Sequence, residues 1–191
     1  MKKILYVNAC VRPESRTNRL AQSVLKHLSG VVEEVSLQKE RIEPLDYQAL
    51  QKREAYQKQK DFSDPMFRYA KQFADADEIV IAAPYWDLSF PSVLKIYLEA
   101  LTVTGLTFRY TPEGRPEGLC KADRLFYITT AGGPIGQLDL GYSYVKALAE
   151  TLFGISKTIS FGAESLDIWG NDAEAILKEA QRKIEESDIN W

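Results

Sequence analysis

Apolar residues recur along this chain with two alternating periods. Residues 4–9 form a nearly unbroken apolar run, the pattern of a parallel strand covered on both faces. Leu20, Val24, Leu25 and Leu28 then return at helical spacing, and Gly30 ends the stretch. VVEEVSL (31–37) reads as a second, more polar strand at a sheet edge. The segment 46–60 is charged and glutamine-rich, with Tyr47, Leu50 and Tyr56 as sparse anchors, which predicts a solvent-facing helix. Asp64 and Pro65 open another helix carrying Met66, Phe67, Tyr69, Ala70 and Phe73. EIVIAAP (78–84) is the clearest strand and stops at Pro84. Pro91 suits the first turn of a helix through Val93, Leu94, Ile96, Tyr97, Leu98 and Leu101. LTFRYTPEGRPEG (106–118) is a short extended piece entering a Pro/Gly turn. A strand RLFYITT (124–130), a helix over 138–153 stopped by Gly154, a strand KTISFGA (157–163) and an amphipathic helix over 172–186 follow. Strand and helix alternate five times, which predicts an α/β fold on a parallel sheet with right-handed crossovers.

The length of 191 residues predicts one domain, 1–191, with room for a real core. A net charge of −3, with both signs interspersed, argues against a nucleic-acid binder held by phosphate contacts. The apolar runs are too short to span a bilayer. MKK followed by apolar residues faintly resembles a signal peptide, but Asn8, Arg12, Pro13 and Glu14 interrupt it, and a buried first strand is the better account. Cys10 and Cys120 are far apart with no metal-ligand spacing, as suits a reducing cytoplasm. The single histidine, His27, excludes a His-rich metal site and falls mid-helix, which argues against a serine-histidine triad. No metal is expected.

Ligands of open α/β sheets bind beyond the carboxyl ends of the strands. Three segments occupy such ends and are rich in donors: CVRPESRTN after the first strand, PYWDLSF after the third and TAGGPIG after the fourth. In the first, a helix N-terminus with free N–H groups meets the hydroxyls of Ser15 and Thr17, the amide of Asn18 and the cation of Arg16, a set suited to one phosphate. The plainer alternative is that Ser15 or Thr17 only caps the helix. Tyr85, Trp86 and Leu88 could flank a ring or belong to the core. Thr130, Ala131, Gly132 and Gly133 either let a planar ligand approach the backbone or make an ordinary strand-to-helix turn. No GxGxxG and no P-loop is present, so dinucleotide and nucleoside-triphosphate folds lose support. Together the three segments would suit one phosphate, a linker and a flat heteroaromatic ring, which is the shape of FMN.

In order and spacing these segments resemble the FMN-dependent NADH-azoreductase and NAD(P)H:quinone oxidoreductase family of the flavodoxin-like superfamily. The resemblance covers nearly the whole chain. Its most specific part is residues 84–119, where Leu94, Lys95 and Tyr97 match the family's LKxY helix. Gly105, Thr107, Phe108, Arg109, Tyr110, Thr111, Gly114, Pro116, Glu117, Gly118 and Leu119 match its GxTFRYTxxGPEGL loop. The resemblance implies a three-layer sandwich with sheet order 2-1-3-4-5 and helices on both faces. It also implies bound FMN, NADH or NADPH as donor, a quinone or azo acceptor in a ping-pong cycle, and a homodimer. It places Cys10, Ser15, Arg16, Thr17 and Asn18 at the phosphate. Pro84, Tyr85, Trp86, Asp87 and Leu88 fall against the ring, and Thr130, Ala131, Gly132 and Gly133 at its polar edge. Phe108 and Phe153 fall over its exposed face. Tyr85 and Asp87 are candidates for tuning the ring, and no catalytic side chain is implied with certainty.

The chain departs from the family pattern at Cys10, where a serine is common, at Asp87, where asparagine is common, and at Ala131, where arginine is common. Loss of a cation and gain of an anion both disfavour a reduced, anionic ring, so they should lower the flavin potential. A redox titration of Asp87→Asn is expected to show an upward shift, and an unmoved potential would refute this. Two other readings compete: an electron carrier without dehydrogenase activity, and a member of the fold that has lost flavin and serves as a binding or regulatory protein.

Overall fold

The computed structural model describes residues 1–189 and 191. Its strands are β1 (Lys3–Asn8), β2 (Val31–Ser36), β3 (Glu78–Ala82), β4 (Phe108–Tyr110), β5 (Pro116–Gly118), β6 (Arg124–Thr130) and β7 (Lys157–Ala163). The helices are α1 (Arg16–Leu25), α2 (Leu37–Glu40), α3 (Tyr47–Gln59), α4 (Arg68–Asp75), α5 (Ser92–Leu101), α6 (Leu140–Leu148) and α7 (Ala173–Glu185). A 3₁₀ turn, Pro65–Phe67, leads into α4, and a π turn, Ala149–Phe153, ends α6.

Five strands pair in parallel in the order β2-β1-β3-β6-β7, so the predicted order 2-1-3-4-5 holds when the sheet strands alone are counted. The three central strands are apolar at consecutive positions because each side of the sheet is covered. Successive side chains of a strand point to opposite faces, and the two cores follow that alternation. Ile4, Tyr6, Val80, Ala82, Phe126 and Ile128 pack with Leu20 and Val24 of α1 and Leu177 and Ile184 of α7. Leu5, Val7, Ile79, Ile81, Leu125 and Tyr127 pack on the other face with Tyr69 and Phe73 of α4, Leu94, Tyr97 and Leu98 of α5, and Val145 of α6. The edge strand β2 leaves Val31 and Val32 exposed, in line with its polar sequence.

Three local features were not visible as such. Leu37 leaves the second strand and begins the short α2. The extended piece after α5 is an antiparallel hairpin, with Phe108 opposite Gly118 and Tyr110 opposite Pro116. The helix expected over 138–153 starts at Leu140 and loosens into the π turn over its last five residues. The solvent-facing helix is present as α3, capped by the Asp46 carboxylate accepting from Ala49 N–H at 2.7 Å, and it buries none of its residues. Among the described residues, no helix is long and apolar enough to cross a membrane, and no cluster of metal-ligating side chains forms.

Candidate functional site

The carboxyl ends of β1, β3 and β6 lie side by side because these strands are neighbours in register, with Asn8 beside Ala82 and Ala82 beside Ile128. The turns leaving them therefore share one rim. They enclose a cleft of about 220 Å³ lined from the first turn by Ser15, Arg16 and Thr17, from the second by Pro84, Tyr85 and Trp86, and from the third by Thr130, Ala131 and Gly132. Val11, Arg12 and Glu14 add to the first wall, and Leu166 and Asp167, which follow β7, close the fourth side.

Ser15 caps α1: its Oγ accepts from Asn18 N–H at 3.3 Å, and its carbonyl accepts from Arg19 N–H at 3.0 Å. The first turn of a helix has N–H groups without intrahelical acceptors, and those of Arg16 and Thr17 have no protein acceptor among the described residues. Thr17 is 1% exposed, and its Oγ1 lies 2.6 Å from Thr130 Oγ1, tying the helix start to the end of β6. Two hydroxyls bonded to each other use one proton, so the pair retains one for a further acceptor. Capping and anion binding are therefore not rivals here: Ser15 does the first, and the N–H groups of the same turn stay free for the second.

The glycine turn is held from behind. Ala131 N–H donates to Ala163 O at 2.9 Å, while the carbonyls of Ala131, Gly132 and Gly133 accept from Leu166, Asp167 and Ser165 N–H at 3.2, 2.9 and 3.0 Å. The N–H groups of Gly132 and Gly133 have no protein acceptor among the described residues. A Cβ at Gly133 would meet nothing within 4 Å, so the open side of this turn is accessible to a flat ligand. Donor groups at the helix end and donor groups at the glycine turn face one cleft, which suits an anionic tail at one end and ring acceptors at the other.

Tyr85 N–H donates to Thr130 O at 3.0 Å, extending the sheet by one residue, and its hydroxyl donates to Leu138 O at 2.9 Å. Beyond it, Trp86 and Ser89 exchange two backbone hydrogen bonds of 3.0 and 2.8 Å around a tight turn. Its central residues, Asp87 and Leu88, have φ of 50° and 66°. Two consecutive positive φ values mark a type I′ turn, a conformation that disfavours a side chain such as leucine. Both residues are exposed at the turn tip rather than on the cleft wall. Asparagine tolerates this conformation as aspartate does, so Asp87→Asn isolates the charge.

Other expected residues are placed differently. Cys10 is buried, and its Sγ approaches Ala82 O at 3.9 Å; burial raises its thiol pKa. Asn18 turns inward: its Oδ1 accepts from the Tyr6 hydroxyl at 2.6 Å and from Gln22 Nε2 at 3.3 Å. Gly133 lies just outside the cleft lining. Phe108 and Phe153 were expected over a flavin face, but both are buried and neither lines the cleft. Phe153 packs on Phe73 at 5.0 Å within the core, because the π turn directs it inward, and Phe108 stacks edge-on against Tyr110 at 5.4 Å. Leu166 and Asp167 were the residues missed. The rule that placed the other three turns, ligands beyond strand carboxyl ends, also pointed to the end of the fifth strand.

The sequence profile of the flavodoxin-like fold matches residues 2–187. The FMN-dependent NADH:quinone oxidoreductase 2 of Clostridium acetobutylicum is 36% identical over 199 residues, covering 97% of this chain and 98% of the relative. The chain belongs to the flavodoxin-like family, in its quinone oxidoreductase branch. Another member of this branch, the FMN-dependent NADH:quinone oxidoreductase of Lachnoclostridium phytofermentans, is 36% identical over 192 residues, 96% of each chain. Flavodoxin-like neighbours share the architecture: a Bacillus anthracis azoreductase superposes with a TM-score of 0.83 at 24% identity, over 96% of this chain and 97% of the other. An FMN-dependent NADH-azoreductase of the same organism, solved in complex with FMN, gives 0.80 at 23% identity, over 97% of each. These relatives bear out the family anticipated from residues 84–119, and with it the fold.

Proposed function

We propose that this protein is an FMN-dependent NADH:quinone oxidoreductase that also accepts azo compounds. The observation that carries the reading is the cleft in which the free N–H groups of α1, the Thr17–Thr130 hydroxyl pair and the Ala131–Gly132 turn converge. The names and close likeness of the quinone oxidoreductase relatives support the cofactor and the donor. FMN bound there would supply two-electron chemistry, taking electrons from NADH and passing them to the acceptor in a ping-pong cycle.

The chain's own part is binding and orientation. Arg16 and Thr17 N–H, with the spare hydroxyl proton of the threonine pair, hold the phosphate at the positive end of α1. The N–H groups of Gly132 and Gly133 donate to the polar edge of the ring, and Tyr85 and Trp86 flank it. The Tyr85 side chain is fixed by its bond to Leu138 O, so it forms a wall rather than a plug. An ordered protein donor to the acceptor is not required, since both substrates react at the cofactor.

The surface beside the cleft supports a homodimer. Trp86, Leu88, Leu138, Leu140 and Tyr144 are large, apolar and exposed. Leu140 N–H donates to Leu88 O at 3.2 Å and Phe90 packs on Tyr144 at 5.9 Å, so these side chains belong to one patch. Exposed apolar patches of this kind mark association surfaces. The two free thiols fit a reducing cytoplasm.

The test pairs two measurements on the purified protein. A yellow protein with an absorption band near roughly 450 nm is expected, together with NADH oxidation that depends on added benzoquinone. Bound flavin without NADH oxidation would instead favour an electron carrier, and a colourless protein that takes up no FMN would end the proposal.

A further inference from the structure

We propose that Asp167 sets how tightly the cleft retains its phosphate, by occupying Arg16 and adding a negative charge to the cleft that the phosphate must enter. The inference rests on the reading of the cleft as an FMN site and concerns a residue outside the three turns that define it.

Arg16 is the cation of the helix turn, and its Nη2 donates to Asp167 Oδ1 at 2.7 Å across the cleft mouth. The other carboxylate oxygen covers Gly132: a Cβ built on that glycine would lie 2.5 Å from Asp167 Oδ2. The carboxylate thus sits beside the glycine turn and draws the Arg16 guanidinium across to it. It is not on a free loop. Asp167 N–H donates to Gly132 O at 2.9 Å, Ser165 N–H to Gly133 O at 3.0 Å, and Asn171 Nδ2 to Ser165 O at 2.8 Å. Ser165 takes a φ of 62°, so the chain bends sharply to bring Asp167 to this position.

The charge balance follows. Arg12 and Arg16 line the cleft with Glu14 and Asp167, two cations against two anions. The next arginine along α1, Arg19, is engaged with both oxygens of Glu174 at 2.7 Å each and adds nothing to the cleft. Sites that hold phosphate by charge carry an excess of cations. This one does not, so the N–H groups of α1 hold the phosphate while Asp167 competes for Arg16 and repels the incoming anion. The same phosphate is therefore bound more weakly than the helix end alone would allow, and the cofactor exchanges readily.

Asp167→Asn removes the charge and keeps the shape, since the Asn amide oxygen still accepts from Arg16. Affinities of wild type, Asp167→Asn and Asp167→Ser for FMN and for riboflavin are read by flavin fluorescence, and for inorganic phosphate by the shift in thermal midpoint. Both variants should bind FMN about threefold to tenfold more tightly, the pair being partly solvent-screened. Phosphate affinity should rise in parallel, and riboflavin, which lacks the phosphate, should gain far less than FMN in Asp167→Asn. The gain should shrink at high salt and in an Arg16→Gln background. Unchanged or weaker FMN binding in Asp167→Asn, or an equal change for riboflavin, would overturn the role of Asp167 while leaving the FMN reading intact. Absence of flavin binding in every protein, with phosphate affinity still raised in both variants, would instead sink the FMN reading and support the role of Asp167.

Discussion

Gly118→Ala is expected to destabilise the protein by more than about 3 kcal/mol, although Gly118 sits in an ordinary extended strand. A Cβ built there lies 2.2 Å from both Gly154 N and Phe153 C, and 2.4 Å from Gly154 Cα. These are backbone atoms at the end of the π turn, so no side-chain rotation relieves the overlap. The β4–β5 hairpin would have to lift off α6, or the π turn would have to unwind. Gly154 faces it with a φ of 78°, and a Cβ on Gly154 would in turn lie 3.1 Å from Gly118 Cα. Gly114 is the matched control. It has a φ of 79° at the hairpin tip, but its Cβ would meet nothing within 4 Å. Gly114→Ala therefore incurs only the left-handed backbone cost, about 1–2 kcal/mol. Denaturant unfolding of the three proteins checks the order. If the two alanine variants lose similar stability, steric contact with the π turn is not what requires glycine at position 118.

This contact also explains why the loop over 105–119 was legible as a family signature but not as a function. Gly105 has a φ of 88°. Thr107 is fully buried; its hydroxyl donates to Leu101 O at 2.7 Å and accepts from Val103 N–H at 3.1 Å, closing the end of α5. Arg109 pairs with Glu117 across the hairpin at 2.8 Å. None of these residues lines the cleft. The stretch is constrained because a small hairpin must dock backbone against backbone, and such constraint on residue type reads from sequence as strongly as chemistry does.

The central strands were readable because burial on two faces leaves no polar position, and the cleft turns because they follow those strands directly. What escaped depends on contacts distant in the chain. The π turn forms where the hairpin presses on α6, which no helical period announces. Asn18 was read as a phosphate ligand by its position in the turn; Tyr6, on the neighbouring strand, holds its side-chain oxygen, so only the Nδ2 amide is left to donate, a constraint the spacing alone did not show. Asp167 carries no glycine or aromatic signal. Its place is set by three backbone hydrogen bonds to the glycine turn more than thirty residues earlier. Phe153 had two readings, ring neighbour by its region or plain core residue, and the structure places it in the core.

At the opposite end of the sheet, Arg124→Met is expected to cost about 3–5 kcal/mol, and Arg124→Met combined with Glu78→Leu should recover most of that loss. Glu78 and Arg124 are direct register partners at the starts of β3 and β6. Arg124 Nε and Nη2 approach Glu78 Oε1 at 2.7 and 2.6 Å, with both side chains almost fully buried. The second carboxylate oxygen, Oε2, is buried with no partner among the described residues, so the ion pair is the carboxylate's main compensation for leaving water. Lys2 reaches the same Oε1 at 3.3 Å from a half-exposed position, too loosely to replace a guanidinium. Removing Arg124 thus strands a buried charge, whereas removing both charges leaves two apolar side chains between well-packed strands. A double variant as unstable as the single one would show that the loss came from Arg124's other contacts, among them its place over the Phe126 ring, not from the carboxylate. Both residues lie a full strand length from the cleft. Flavin affinity of the folded fraction should therefore be the same in all three proteins, so this measurement separates what holds the sheet together from what the sheet presents at its other end.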